Sequence, residues 1–575
     1  SYMNEYIGRT TPGASIAIVS GDEIVYAKGF GYTSTAKDTP VDASATVFEW
    51  GSISKLFVWV SVLQLVEQGR LDLNAPISDY LSDAEMPKLR YKGPITMLHL
   101  MNHSAGFEEY ILHLLSDSKE DVLPLSEFLK RYQPYQAYPP GEMVAYSNYG
   151  TSLAASIVEK ITNQSYEDYV KEHILIPLGM NDTIVTIAND ADLARIADRR
   201  ATGYVSLRDG EFVEASYSYL SLYPSGSLNG PATDLAKFAI ALLARAEEDN
   251  VLFDQLDTLK LLFTTTYAPG GLTPGIAHGF WEYQGAHTSY SHGGNTKGFA
   301  ANFHVVPDAG FGVVILTNQV AEVAISYGLM DALLTDPNTP YEALPLNEQI
   351  DYRGQFISAR NTNHTFTKLY YHLIPLTIEP DYENNVLTVS YAGVSGRYQQ
   401  IGSGDFRLVS GDPLFFTMKN IHLETDGARI TSIYAPTTSF YPMEISATAV
   451  LITIGLVLLL FVYMVVMCVV YLIRGRRSTQ PLRNYALAML LQVLLLINTG
   501  LLAVRVLNDP YRTLEELMIQ IVISCGLGIL TIIALLYMLI RAIRSKAWMK
   551  VHFLSTLVVV ILFQAFFLYW RFYSF

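Results

Sequence analysis

The first 467 residues contain no cysteine; Cys468 and Cys525 both fall inside apolar runs close to the C-terminal end. Everything before those runs is thereby closed to disulfides, to a thiolate nucleophile and to cysteine-ligated zinc or iron–sulfur sites. Redox compartment is left open, because an exported domain need not carry disulfides. Positive charge is scarce in the same region. Of 39 Lys and Arg, 11 lie from Tyr441 onward, which leaves 28 against 50 Asp and Glu in the first 440 residues. So acidic a surface repels a phosphate backbone, which excludes nucleic acid as a partner on charge. Also missing is a charged segment followed by an apolar run ahead of the first strand-like stretch. The expectation is that a signal peptide has been removed.

What is present is length and, late in the chain, hydrophobicity. At 575 residues the chain exceeds the roughly 250 to 300 residues at which single cores stop growing. Ala14 to Val19 and Glu23 to Ala27 read as a hairpin across Ser20-Gly21-Asp22. Ile53, Leu56, Phe57, Val60 and Leu63 recur at helical spacing ahead of Gly69, so Ser52 opens a mostly buried helix. A helix-rich and loop-rich middle runs to about 280. Strands at Phe299 to Val306 and Gly312 to Thr317, then a helix to Leu334, close an α+β domain over 1–335. From 336 to 441 short alternating runs, such as Leu387 to Tyr391 and Leu414 to Met418, read as a small β-rich domain.

Residues 442–575 hold four apolar stretches, about 445–473, 485–504, 517–540 and 551–570, each long enough to cross about 30 Å of hydrocarbon. Four membrane spans are expected, with the bilayer as a partner. Arg474, Arg476, Arg477 and Arg483 follow the first, and Arg541, Arg544, Lys546 and Lys550 precede the last, so the loops 474–483 and 541–550 are expected in the cytoplasm. In the middle loop Arg505 and Arg512 are offset by Asp509, Glu515 and Glu516, which puts it outside with the α+β domain. No Asp, Glu, Lys or Arg interrupts a span and His552 lies near an end, so anchoring is expected rather than ion passage.

Chemistry concentrates at Gly51-Ser52-Ile53-Ser54-Lys55. Residues three apart on a helix share a face, so Ser52 and Lys55 can touch, and a lysine on a buried helix loses solvation and becomes a base. The alternative is an ordinary helix start with a serine cap and a snorkelling lysine. Ser116-Asp117-Ser118-Lys119 repeats the spacing, but beside Glu120 and Asp121 it offers no desolvation and reads as chance. A second piece is Tyr146-Ser147-Asn148, set after the turn-forming Pro139-Pro140-Gly141 and before a helical run from Ser152 to Ile161. A tyrosine hydroxyl there can relay a proton, and an asparagine amide can bind a carbonyl or fix the lysine. The third is His292-Gly293-Gly294-Asn295, whose glycines let a substrate lie against the backbone. His99 and His103, four apart, lack the glutamate of a protease zinc helix and a third ligand, so no metal and no cofactor is expected.

These three pieces, in this order, resemble the class C β-lactamase, penicillin-binding and esterase family of serine hydrolases over about residues 10 to 335. His99 to Gly106 and Gly226-Ser227-Leu228 add to the likeness. The resemblance implies a β-lactamase/transpeptidase-like fold, antiparallel sheet plus helical region. It also implies an acyl-enzyme on Ser52, proton transfer shared by Lys55 and Tyr146, and an oxyanion hole from the backbone N–H groups of Ser52 and Asn295. Asn148, His292 and Gly294 are the expected substrate contacts. Lactamases usually have Lys-Thr-Gly where this chain has His292-Gly293-Gly294, so a neutral imidazole replaces a fixed cation. That form is similar to family esterases and D-aminopeptidases, and to membrane-bound peptidases that remove an N-acyl-D-asparagine cap from prodrugs, although four spans do not fit the three associated with those. The expected activity is a peptidase or amidase for D-amino-acid-containing peptides or N-acyl-D-aminoacyl prodrugs. The alternatives are a broad carboxylesterase, or a sensor acylated with negligible turnover. The expected partner is a small peptide or acyl-amide substrate; the oligomeric state is left open.

Overall fold

Small and branched residues along Gly13–Ser20 form a strand that turns at Gly21, where φ is +62°, into Glu23–Gly31. The computed structural model describes residues 2–109, 113–187, 189–206, 210–335, 341–475, 480–508, 514–543 and 547–573. In it this hairpin forms one edge of a seven-stranded sheet. From that edge the order is Glu23–Gly31, Gly13–Ser20, Phe311–Thr317, Ala300–Val306, Thr288–Asn295, Phe280–Gln284 and Ile276–Ala277. All neighbours are antiparallel, and Ile16 opposite Ile315 joins the two ends of the domain. The two late strands expected from the sequence are present. The third motif is itself part of a strand: His292 to Asn295 lie inside Thr288–Asn295. Serine, histidine and glycine do not carry the β-branched alternation that marks a strand, and this one is defined by its ladder partners, such as His292 opposite Phe303.

Against the sheet lies the helical region. In Ser54–Glu67 the residues Leu56 to Val60, Val62, Leu63 and Leu65 are all fully buried, as expected of a helix that is apolar all round. Phe57 sits between Trp50 and Phe238, at ring-centre distances of 6.0 and 4.3 Å, and so ties this helix to Ala232–Leu242 on the sheet. The helix Asn148–Thr162 packs on its other side. Ser147 caps it by accepting from Gly150 N at 3.0 Å, which fixes Tyr146 just before the helix and Asn148 as its first residue.

The β-rich segment is an eight-stranded closed barrel running from Gly354–Ser358 to Thr438–Pro442, its first and last strands paired at Ile357 and Tyr441. Closure removes the sheet edges and encloses a core that includes Phe356, Ile378, Tyr398, Phe406 and Phe440. Leu414 to Met418, read as a strand, is instead a 3₁₀ turn over Pro413–Met418. Asp412 caps it by accepting from Leu414 N at 2.9 Å, and Pro413 has no N–H for a ladder. Phe415 is fully buried there, so the apolar run is explained by burial in a turn.

The chain packs as two compact units. One holds residues 1–110, 116–360 and 376–442, and so includes both the sheet domain and the barrel. Their seam combines polar and apolar contacts: Asp405 of the barrel accepts from Leu272 N at 2.9 Å and Thr273 Oγ1 at 2.8 Å, Lys419 pairs with Asp331, and Tyr441 and Tyr434 of the barrel pack on Tyr138 and Tyr267. The other unit holds 111–115, 361–375 and 443–575. Its four long helices are Ala447–Gly475, Gln480–Asn508, Leu514–Ile543 and Ala547–Tyr569, one on each apolar stretch read from the sequence. Within them Met489–Val506 and Glu516–Ala534 are long and apolar enough to cross a membrane, while Ala447–Tyr463 and Leu557–Tyr569 are shorter apolar segments. The segment 361–375 packs on the residues just after the last helix, with Phe366 stacked on Phe572 and His372 edge-on to Trp570. The boundary position 336, the basic residues Arg476, Arg477, Arg544 and Lys546, and the offset pair Asp509 and Arg512 lie outside the described residues.

Candidate active site

Ser52 occupies a 3₁₀ turn, Gly51–Ile53, that feeds directly into Ser54–Glu67. Gly51 has φ +53°, and a Cβ there would fall 2.8 Å from Asn295 N. A Cβ on Gly294 would strike the Trp50 carbonyl and lie 3.3 Å from Ser52 N. Two glycines thus let the end of the strand Thr288–Asn295 close on the serine turn, and the backbone amides of Ser52 and Asn295 meet at one place. The Asn295 side chain is turned away, its Oδ1 accepting from Ala321 N at 3.1 Å.

Lys55 is fully buried. Its Nζ lies 3.0 Å from Ser52 Oγ, 2.7 Å from Asn148 Oδ1 and 2.7 Å from the Ser225 carbonyl. Burial holds the ammonium form well below the ordinary lysine range; Arg360 pushes in the same direction and Glu109 against it. A neutral amine has two N–H groups and one lone pair. Asn148 Oδ1 and Ser225 O can only accept, so they take the two N–H groups and leave the lone pair for the Ser52 hydroxyl, the one partner able to donate.

Tyr146 packs beside this group, its ring centre 4.8 Å from Lys55 Nζ, and its hydroxyl is buried without a hydrogen-bond partner among the described residues. Burial pushes the phenol above its ordinary range, against smaller opposing effects of Arg360 and Ser52. The rings of His103 and His292 lie 4.2 and 6.1 Å from that of Tyr146. His292 stacks on Trp281 at 4.1 Å, and its Nδ1 lies 2.7 Å from the Gly293 carbonyl. Burial holds His292 down to about 3, with Lys55 adding to the fall, so the imidazole is neutral at ordinary pH. Its Nε2 is buried without a hydrogen-bond partner among the described residues.

The structure therefore gathers Ser52, Lys55, Tyr146, Asn148, His292, Gly294 and Asn295 at one site. Three contributors were not read from the sequence. Ser225 acts through a backbone carbonyl, which has no side-chain signature, although Gly226-Ser227-Leu228 beside it were noted. Glu109 accepts from Asn148 Nδ2 at 3.2 Å, and Arg360 Nε donates to Glu109 at 3.0 Å while its guanidinium lies 4.6 Å from the Tyr146 ring centre. Neither belongs to a motif, and Arg360 is 251 residues from its partner. His99 closes a capping box with Thr96, its Nδ1 accepting from Thr96 N at 3.1 Å, and His103 has φ +53° where its helix ends. Lys119 of the second Ser-x-x-Lys pairs with Asp190, far more exposed than Lys55.

A sheet-and-helix fold with a buried lysine beneath a turn serine defines a serine hydrolase of the β-lactamase and penicillin-binding-protein superfamily. The chain belongs to the Beta-lactamase family, whose model matches residues 2–327. It is 26% identical over 342 residues to Penicillin-binding protein 4* of Bacillus subtilis (strain 168), covering 55% of this chain and 70% of that protein. To Protein flp of Staphylococcus aureus (strain MW2) it is 27% identical over 318 residues, covering 54% of this chain and 60% of that one. The fold is similar to the crystal structure of SurE, with TM-score 0.54 and 21% identity over 77% of this chain and 97% of that one. The structure of SurE with D-Leu matches with TM-score 0.51 and 19% identity, over the same shares.

Proposed function

We propose that the protein is a membrane-anchored hydrolase that forms an acyl-enzyme on Ser52. The observation that carries this reading is the fully buried Lys55 amine, held by two acceptor oxygens with its lone pair left to Ser52. One environment acts oppositely on the two titratable partners: it keeps the amine neutral and so basic, and keeps the Tyr146 phenol protonated and so an acid. Lys55 takes the Ser52 proton as Oγ attacks the substrate carbonyl, and the amides of Ser52 and Asn295 receive the oxyanion. The proton on Lys55 then passes, with Tyr146 as relay, to the leaving amine or alkoxide. Water attacks the acyl-enzyme by the reverse route.

The substrate class proposed is a peptide or amide of a D-amino acid, or an N-acyl-D-aminoacyl prodrug. The neutral His292 stands where the related lactamase motif has lysine, and Arg360, the nearby cation, is paired with Glu109. A substrate therefore meets little net positive charge, which favours esters and neutral amides over β-lactam carboxylates. SurE, of the same fold, is known with D-Leu bound, and guides the choice of test amides. Membrane anchoring is supported by apolar side chains of the helical unit that stand in the open: Ile519 is 72% exposed, Ile473 70% and Leu459 65%. Such a surface is stable only against lipid or another apolar face.

The test is hydrolysis of matched N-acyl-D- and N-acyl-L-aminoacyl amides and of a simple ester by detergent-purified protein, beside Ser52→Ala. D-amide cleavage lost in the variant is expected. Ester cleavage alone would point to the carboxylesterase, a stable acyl adduct without turnover to the sensor, and full activity in Ser52→Ala would overturn the acyl-enzyme.

A further inference from the structure

Arg360 follows the first barrel strand, Gly354–Ser358, yet its guanidinium reaches the Tyr146 ring in the sheet domain, 4.6 Å from the ring centre. From there a continuous chain of contacts runs to the nucleophile. Arg360 Nε donates to Glu109 Oε2 at 3.0 Å, Asn148 Nδ2 donates to Glu109 Oε1 at 3.2 Å, and Lys55 Nζ donates to Asn148 Oδ1 at 2.7 Å. The Glu109 side chain is 4% exposed and that of Arg360 is 44% exposed, so the carboxylate is buried and its partner stands at the rim.

We propose that Glu109 and Arg360 form a positioning pair, half of it supplied by the barrel, that fixes the Asn148 amide and balances the charge around the Lys55 amine. The inference rests on the acyl-enzyme reading above. An amide has an oxygen and a nitrogen end of nearly equal size, and only the oxygen end serves Lys55. A carboxylate accepts and never donates, so Glu109 captures the NH₂ end and thereby turns the oxygen toward Lys55. A bare carboxylate two links from the amine would also stabilise the ammonium and leave less of Lys55 as the free base at working pH. Arg360 offsets that charge. The other groups around Lys55 carry no charge into the balance: Ser52, Asn148 and the Ser225 carbonyl do not titrate at working pH, and burial keeps Tyr146 protonated and His103 and His292 unprotonated.

Two charges of opposite sign acting on one base give a signature that mere disruption does not. The measurement is the second-order rate of acylation by p-nitrophenyl acetate against pH on the full chain in detergent, with the acyl group located by mass spectrometry. Glu109→Gln removes a negative charge that favours the ammonium and should move the acid limb to lower pH. Arg360→Met leaves Glu109 unopposed and should move it to higher pH, each by about half a unit or more for charges this close. Arg360→Lys, which keeps the charge, should leave the limb in place, and the double variant should fall between the two single ones. If Glu109→Gln does not fold by thermal unfolding, the contrast between Arg360→Met and Arg360→Lys carries the test. Limbs that stay put or move together, with acetyl still on Ser52, overturn the pair while sparing the acyl-enzyme. A wild-type protein that carries no acetyl on Ser52 overturns both.

Discussion

Lys55 and Tyr146 show how one residue's surroundings decide its chemistry. The pH dependence of acylation should follow the amine: the rate rises with pH through a Lys55 transition displaced far below the ordinary lysine range. It should not fall again in mildly alkaline solution, because burial keeps the phenol protonated there. Lys55→Met should lower kcat/KM by about 100- to 10,000-fold, the range of a general base, without loss of fold. Gly51→Ala tests the approach of strand to turn. It places a side chain at φ +53° and 2.8 Å from Asn295 N, so a loss of about 1 to 2 kcal/mol from the conformation alone is expected, along with a collapse in activity. Ser52, Lys55, Tyr146 and the glycines were legible because motif spacing on a helix or turn is a local property. Glu109 and Arg360 were not, because a contact across 251 positions leaves no trace in either neighbourhood.

At the scale of elements, the helix Ser54–Glu67 and the hairpin Gly13–Ser20 with Glu23–Gly31 declared themselves by period and by turn residues. The strand bearing His292 did not, since its conformation is imposed by the strands on either side. The barrel was visible as alternation but its closure was not, because the pairing of Ile357 with Tyr441 is a long-range event. Asp405 contributes to its attachment to the sheet domain. Burial alone would raise that carboxyl, but hydrogen bonds from His422, Leu272 and Thr273 outweigh it and hold the group below its ordinary value. This contribution is complete above the unfolded carboxyl's pKa, near 3.9, and is lost as pH falls through the lower folded value. Asp405→Ala should therefore lower the Tm at neutral pH, and the deficit should shrink in strong acid.

At the scale of the whole molecule, acid should act earlier than Asp405 does. Burial holds His292 and His304 down to about 3 and His278 to about 4. Histidines that are neutral when folded and charged when unfolded give stability that is full above about pH 6.5 and drains away as pH falls toward those values. Thermal unfolding between pH 7 and 4 should show a steady fall in Tm. Integration into the membrane is checked by an alkaline carbonate wash, after which the protein should remain in the membrane pellet. Protease added to intact cells should cut the catalytic unit if it lies outside. Of the five tryptophans, three surround the site: Trp50 one residue before Gly51, Trp59 at 6.4 Å from His103, and Trp281 stacked on His292. The protein thus contains its own optical gauge. Intrinsic emission, dominated in the catalytic unit by these rings, should change as Ser52 is acylated and recover on deacylation, which allows turnover to be followed on any unlabelled substrate.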